Sequence, residues 1–372
     1  MNAYKARREK LAASLAQRGI AMAVIEDTEG RRNPSIRYLS GHPSDALLFI
    51  TSDARSLLVP WDVNMAAKMA SVDQTAPYTD FGRSPFNAVE GALKRLDIPK
   101  GSVIDLPSST PYPLYIKYVE TSPDYDFVCQ EESCKETVVN MRAVKDQAEL
   151  ELYRRVSAIT DQVMDAIEAQ VRSGAFKTES DVALFIEKEL RAKGCERTGF
   201  DTIAAGPSRS FGIHAFPSYT GAAFGSDGMS ILDFGLVLDG YTSDVTMTFV
   251  RGKLEGKRAQ MVALVQKAYD EAVAMCAPGV KSRDIALHVE TVFAKNDYTM
   301  PHGLGHGVGL EAHEMPSVNT RETNTWVLAP GHIITIEPGL YDPALGGVRL
   351  ENDVLITEKG HEVLTHSRIV QL

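Results

Sequence analysis

The sequence predicts an α/β (α+β) protein in two parts, a small α/β domain over residues 1–134 and a larger, pseudo-symmetric domain over 135–372. Three observations carry this reading. Short apolar strands alternate with amphipathic helices in the first third of the chain. The remainder repeats one order of helices and strands twice. Four carboxylates and a histidine, Asp233, Asp244, His306, Glu337 and Glu351, stand in strand-like or Gly-rich apolar segments of the second part. Uncharged residues would cost less there.

In chain order, a helix through Arg8, Leu11, Leu15 and Gly19 leads into the strand "IAMAVIE". "IRYLSG", "ALLFIT" and "SLLVPW" read as further strands, "FNAVEGALKRL" as a helix and "GSVIDL" as a strand. "SPDYDFVCQEESCKETVVNM" is polar and reads as irregular, so the domain boundary is placed within it. The next long helix starts near Lys145. Its apolar stripe is Leu152, Val156, Ile159, Val163 and Ile167, at spacings of four and three.

Two helical segments then match. "ESDVALFIEKELRAKG" from Glu179 aligns with "SRDIALHVETVFAKND" from Ser282, pairing Asp181 with Asp284, Leu184 with Leu287 and Glu187 with Glu290. Each follows another amphipathic helix, and each precedes a strand-rich stretch with a histidine and then two carboxylates. Asp233 and Asp244 thus hold in the first half the place of Glu337 and Glu351 in the second. Two such halves packed face to face bring both acid pairs to one centre, where a pocket is expected.

The first acid pair can be placed by turn chemistry. In "FGLVL-DG-YTSDV", Asp239-Gly240 is a two-residue hairpin signal between apolar runs. That loop pairs Leu238 with Tyr241 and Asp233 with Thr246. Asp244 is then a diagonal neighbour of Asp233 on the same face. Glu337 and Glu351 flank a longer loop, "YDPALGG", which leaves their register open. Buried ionised carboxylates need paired charge, and the sequence offers no matching set of buried Lys or Arg. Two divalent cations would balance four acids. Carboxylates and one imidazole without thiolate suit Mn, Co, Fe or Zn, not a Cys-type structural zinc site.

Composition narrows the classes. The net charge is −10 and no basic block occurs, which argues against nucleic acid as a partner. No apolar run of about 18 residues exists, so no membrane span is expected. The charged N-terminus lacks a signal-peptide pattern. Cys129, Cys134, Cys195 and Cys276 fit no zinc or redox motif and read as reduced thiols of a cytoplasmic protein.

Around the acids, His302, His306 and His313 cluster in "HGLGHGVGLEAH". The alternate glycines make a zinc-binding helix there implausible and are expected to let backbone approach a ligand. His214, in "FGIHAFPSY", lies in the matching region of the first half. Arg349 precedes Glu351 by two residues, so both share a strand face. It can hold a carboxylate ligand or a substrate carboxylate.

Over most of its length the chain resembles the pita-bread metallopeptidases, in particular prolidases and aminopeptidase P. "RREKLAASLAQRGIAMAVI" with "IRYLSGHPSDALLFIT" is similar to their creatinase-type N-terminal domain. "NMRAVKDQAELELYRR" resembles the helix that opens their catalytic domain. "ILDFG" with "SDVTMT", "HGLGHGVGLEAHE", "TIEPGLY" and "GGVRLENDV" resemble the metal-site motifs.

The resemblance implies hydrolysis of Xaa–Pro bonds with two divalent metal ions, manganese first and cobalt, zinc or iron as alternatives. Asp233 would be a terminal ligand of one ion, and His306 and Glu337 of the other. Asp244 and Glu351 would bridge, and Glu337 would also be the general base. His214, His302 and His313 would line the pocket and handle substrate and protons. Tyr341 and Arg349 would steady the site. The implied substrate is a peptide with proline second, and a homodimer is expected. A dipeptidase is preferred because the chain is short, with an aminopeptidase on longer peptides or hydrolysis of a non-peptide C–N bond as alternatives. A retired, non-enzymatic relative is disfavoured because the ligand set is intact. Two positions depart from the family pattern: Met247 stands where Arg is usual, on the strand face opposite Asp244, and the stretch before His214 is one residue longer.

Overall fold

In the computed structural model, which describes residues 3–372, the chain divides after Arg142 into two units. Helix α1 (Ala3–Gln17) is followed by β1 (Met22–Asp27), α2 (Ser35–Ser40), β2 (Ala46–Thr51), β3 (Ser56–Pro60), α3 (Val63–Met69) and β4 (Gln74–Thr75). Next come α4 (Pro85–Arg95), β5 (Val103–Asp105), α5 (Tyr112–Thr121), β6 (Asp126–Val128) and α6 (Cys134–Ala143). The six strands form one mixed sheet in the order β4-β3-β2-β1-β5-β6. Its central strands are continuous apolar runs because both faces are covered. Met22, Val24, Leu47 and Phe49 pack with Ala88, Val89 and Leu93 of α4.

Two segments differ from the sequence reading. "IRYLSG" is helix α2, not a strand. A short apolar run does not distinguish the two by period, and here local and distant partners favour the helix. The Asn33 side chain accepts the Ser35 N–H at 3.1 Å. Gly41 closes the helix at φ 79° with its N–H on Arg37 O. Buried Arg7 and Arg8 donate to the carbonyls of Tyr38 and Leu39 at 3.0 and 2.9 Å, satisfying acceptors that a helix end leaves open. The polar stretch after Ser122 is also ordered, as β6 and α6, because Phe127, Cys134 and Val138 are buried.

The second unit begins at Ala143. Helix α7 (Gln147–Ser173) starts with a capping box between Asp146 and Glu149, and α8 (Glu179–Ala192) with one between Thr178 and Asp181. The buried stripe of α7 runs through Tyr153, Val156, Thr160, Val163 and Ile167; Leu152 and Ile159 flank it half-buried. Then follow β7 (Arg197–Thr198), β8 (Ile203–Ala205), β9 (Gly228–Phe234), β10 (Leu236–Leu238), β11 (Tyr241–Thr242) and β12 (Val245–Arg251). The second half supplies α9 (Gly256–Met275), α10 (Ser282–Ala294), β13 (Gly305–Gly307), β14 (Glu314–Val318), β15 (Ile333–Ile336), β16 (Gly339–Asp342), β17 (Gly346–Arg349), β18 (Asn352–Ile356), β19 (His361–Val363) and β20 (Ile369–Gln371).

The predicted repeat is present in the topology. One sheet runs β20-β12-β9-β8 and the other β14-β13-β15-β18-β19. The antiparallel order β8-β9-β12 thus recurs as β13-β15-β18. Thr178 and Lys281, just ahead of the matching helices α8 and α10, each make a bridge, to Ala223 and Val327. A bridge between Thr246 and Glu351 joins the two sheets. The hairpin register is as predicted: Leu238 pairs Tyr241 and Asp233 pairs Thr246, across a turn with Asp239 at φ 48° and Gly240 at φ 90°.

Candidate metal centre

Each half presents its acids at the same two points, one where the middle strand of its sheet ends and one where the next begins. Asp233 lies in β9 and Asp244 directly before β12. Glu337 directly follows β15 and Glu351 directly precedes β18. The register that pairs Ile336 with Asn352 and Gly339 with Arg349 sets Glu337 opposite Glu351. The long loop had concealed that pairing.

A cavity of about 510 Å³ is lined by Asp233, Asp244, Glu337 and Glu351, by His214, His302, His306 and His313, and by Arg349. Tyr341 reaches it through hydrogen bonds to His302 and Arg349. Apolar walls come from Phe200, Ile203, Ile213 and Phe216. All ten site residues expected from the sequence are therefore at or beside one cavity.

Ligand-capable atoms of Asp244, His306 and Glu351 lie within 4.8 Å of one another. His306 Nε2 is 3.4 Å from Glu337 Oε1 and 3.8 Å from Asp244 Oδ2. His306 Nδ1–H donates to Gly307 O at 3.1 Å, which assigns the bare lone pair to Nε2. Burial first, then neighbouring His313, lowers the His306 pKa to about 3. A neutral imidazole thus aims its Nε2 lone pair at the oxygens of Glu337 and Asp244.

Asp233 stands apart from this tight group. Arg349, itself buried, donates to Asp233 Oδ2 at 2.5 Å. Its other donors go to Thr246 Oγ1 at 2.9 Å, Ile213 O at 3.1 Å and Tyr341 OH at 2.8 Å. The protein itself therefore takes four of its N–H donors. Of the two roles open to Arg349 from the sequence, the contacts match holding a site carboxylate. Arg349 supplies a buried countercharge to Asp233 alone. One guanidinium is present, against four acids. Asp233 Oδ1 remains buried without a hydrogen-bond partner.

The electrostatics show how far that falls short. Asp244 is pushed well above the usual carboxylate range, by burial first and then by Glu351, Asp233 and Asp353. Glu337 rises likewise by burial and by Glu351. Glu351 is raised to about 8, by burial and by Asp233. Asp233 is raised by burial against the opposing pull of Arg349. Oxygen donors, one imidazole lone pair and crowded negative charge fit divalent metal ions.

Three supporting residues escaped the sequence reading. Thr246 donates to Glu351 Oε2 at 2.7 Å while accepting from Arg349. It is the residue that the hairpin register sets opposite Asp233, so the signal was available. Asp353, fully buried, is a further acid beside the centre, taking the Asp244 N–H at 3.2 Å. Its signal was its place in the same strand run as Glu351. Thr335 accepts the His306 N–H at 3.2 Å.

The glycines around His306 also differ from expectation. A Cβ on Gly305 would lie 2.0 Å from Thr335 O and one on Gly307 2.2 Å from Met315 O. They are required by close strand packing, although Gly303 and Gly305 do line the cavity.

Paired carboxylates and an imidazole converging in a cavity at the centre of two repeated halves define a metallohydrolase-type site. The chain belongs to metallopeptidase family M24, whose model matches residues 151–358, and the creatinase/prolidase N-terminal domain matches residues 7–144. The Xaa-Pro dipeptidase of Pyrococcus horikoshii is 30% identical over 90% of this chain and 91% of its own length. That of Pyrococcus furiosus is 30% identical over 89% and 90%. Among solved structures, the prolidase from P. horikoshii superposes with a TM-score of 0.82 at 26% identity, covering 98% of this chain and 99% of that one. The Xaa-Pro dipeptidase from Bacillus anthracis does so with a TM-score of 0.84 at 25% identity, covering 99% and 100%. The protein is a metallopeptidase of mixed α/β fold, and its family implies divalent metal ions. No helix among the described residues is long and apolar enough to cross a membrane.

Proposed function

We propose that the protein hydrolyses Xaa–Pro dipeptides with two divalent metal ions. The observation that carries this is the convergence of Asp244, His306 and Glu351, with Glu337 and Asp233 alongside, in the cavity of an M24 unit. Relatives named Xaa-Pro dipeptidase match nearly the whole chain. Asp244 and Glu351 would be shared by both ions, Asp233 would complete one ligand set, and His306 and Glu337 the other. Bound metal supplies a water of lowered pKa and a clamp for developing oxyanion charge.

The chain's own residues do the rest. Glu337 accepts the proton of the attacking water. His302 donates through Nδ1 to Gly303 O at 2.8 Å, so its Nε2 accepts from Tyr341 OH at 3.0 Å. Its pKa falls to about 4, chiefly by burial, and it stays neutral. His214 and His313 open to the cavity and are placed to hold substrate and return a proton to the leaving amine. Arg349 keeps Asp233 oriented. Apolar Phe200, Ile203 and Ile213 offer a surface for the prolyl ring.

Manganese is the proposed metal, since hard oxygen donors dominate the set. Four unpaired cysteines support a cytoplasmic location. Exposed Trp61, Val63, Met65 and Met69 support a homodimer contact in the first unit.

Manganese-loaded enzyme is to be assayed on Ala-Pro, Ala-Pro-Ala and Ala-Ala. Cleavage of Ala-Pro and not of Ala-Ala is expected. Cleavage of the tripeptide alone would replace the dipeptidase reading with an aminopeptidase. No cleavage of either proline peptide by metal-loaded protein would end the Xaa–Pro reading.

A pH effect follows for protein stripped of metal. Asp244, Glu337 and Glu351 have folded pKa values above the ordinary range, Glu351 at about 8. Stability contributed by a raised carboxyl is present below its unfolded value, about pH 4.3, and is lost as pH rises through the folded value. Metal-free protein should therefore lose thermal stability between about pH 5 and 8, and metal-loaded protein should lose much less. Melting curves across that range check it; a rising metal-free profile would contradict the charge crowding.

A further inference from the structure

The two halves carry one short motif at corresponding points, His214-Ala215-Phe216-Pro217 and His313-Glu314-Met315-Pro316. They part at the residue after the histidine. In the first half it is Ala215, which packs with Ile203 and Ala205 in a small apolar cluster. In the second it is Glu314, whose side chain is only 5% exposed and lies 3.5 Å from the ammonium of Lys145, 1% exposed.

A charge pair at that depth is poor evidence for stability, because desolvation offsets its attraction. Its use is to hold a fixed arrangement, and the surroundings are built for that. The Lys145 backbone N–H donates to Gly331 O at 2.9 Å, and Val144 bridges His332. The next residue, Asp146, caps α7. Lys145 is thus tied in place independently of its side chain. Glu314 Oε1 also accepts the Glu311 N–H at 3.0 Å. A Cβ on Gly309 would lie 2.3 Å from the Glu314 carboxylate, so that glycine leaves room for it. Three segments, the start of α7, the turn at 309–311 and the first residue of β14, therefore meet at Glu314.

His313 needs such support. Its ring is exposed to the cavity, with its centroid 4.1 Å from that of His306. An exposed imidazole is held mainly by the backbone beneath it. We infer that the buried Lys145–Glu314 pair is a positioning device for His313, locking β14 to α7 so that the imidazole stays over the site. His214 is flanked instead by Ala215 in its apolar cluster and by Ile213, whose carbonyl accepts from Arg349 at 3.1 Å. The inference rests on the peptidase reading of the cavity. Glu314 and Lys145 are positioning residues, since neither lines it.

The test uses the full chain loaded with manganese and assayed on Ala-Pro, with metal content measured for every variant. Glu314→Gln is expected to lower kcat about 10-fold, in the range for residues that orient a site group, with KM and metal content unchanged. In a His313→Ala background the same change should cost nothing further, because the residue it acts through is gone. Lys145→Met leaves the Glu314 charge buried and unpaired, so the double variant Lys145→Met/Glu314→Met accompanies it. The double variant is expected to fold and to repeat the kcat loss. Wild-type kcat in Glu314→Gln, an equal loss in both backgrounds, or loss of metal overturns the inference. A second readout is independent of turnover. In zinc-loaded protein, Glu314→Gln should shift the His313 ring NMR signals and leave those of His361 in place. Unchanged His313 signals overturn the positioning role, whereas an inactive wild type with shifted signals overturns only the peptidase reading.

Discussion

Glu351→Ala is expected to abolish peptide hydrolysis and leave the fold standing. Glu351 is buried at the bridge where the two sheets join, and its carboxylate is held by Thr246. It lies within 4.8 Å of the ligand-capable atoms of both Asp244 and His306. A carboxylate in that place would touch both ions, so its loss removes charge and geometry from the whole centre. Turnover should fall by about 10³-fold or more, as for loss of a principal transition-state contact, and bound metal should fall with it. Metal-free stability should change little. The lost side chain leaves a small void, but its removal also relieves repulsion among acids already raised in pKa. The surface change Glu358→Ala is the control. Near-normal turnover of Glu351→Ala at saturating metal would show that the shared-ligand role is wrong.

Arg349→Met is expected to give the largest loss of stability of any single change in the site. The guanidinium is buried and binds Asp233, Thr246, Tyr341 and the Ile213 carbonyl. Its removal strands the Asp233 carboxylate among other acids. Breaking a buried pair from one side costs about 3–5 kcal/mol, or a melting temperature lower by about 10 °C for a unit of this size. Arg349→Lys should recover little, because one ammonium cannot serve four acceptors in fixed directions. Melting curves of both variants check this. A melting point within about 2 °C of wild type would mean that Asp233 has other support. Because protonation can neutralise a stranded Asp233, the deficit should shrink at acid pH.

What could be seen in the sequence was local or periodic. Asp239-Gly240 set the hairpin register, and with it the shared face of Asp233 and Asp244, because a two-residue turn allows one pairing. Matching helices from Glu179 and Ser282 disclosed two halves, which the strand orders β8-β9-β12 and β13-β15-β18 repeat. Acids in apolar strands marked the centre because such residues are costly without a countercharge.

Other features depended on segments far apart in the chain. "IRYLSG" is a helix because Arg7 and Arg8 reach its carbonyls. Glu337 faces Glu351 because the β15–β18 ladder continues into β16–β17, past a loop too long to specify register. Arg349 ties Asp233 to Tyr341, and Lys145 meets Glu314, across separations that no local pattern encodes. Turn geometry and side-chain period are properties of neighbouring residues and can be read along the chain. Burial depth, and which charge neutralises which, depend on what packs above and below. Those were settled only when the two halves closed around the acids.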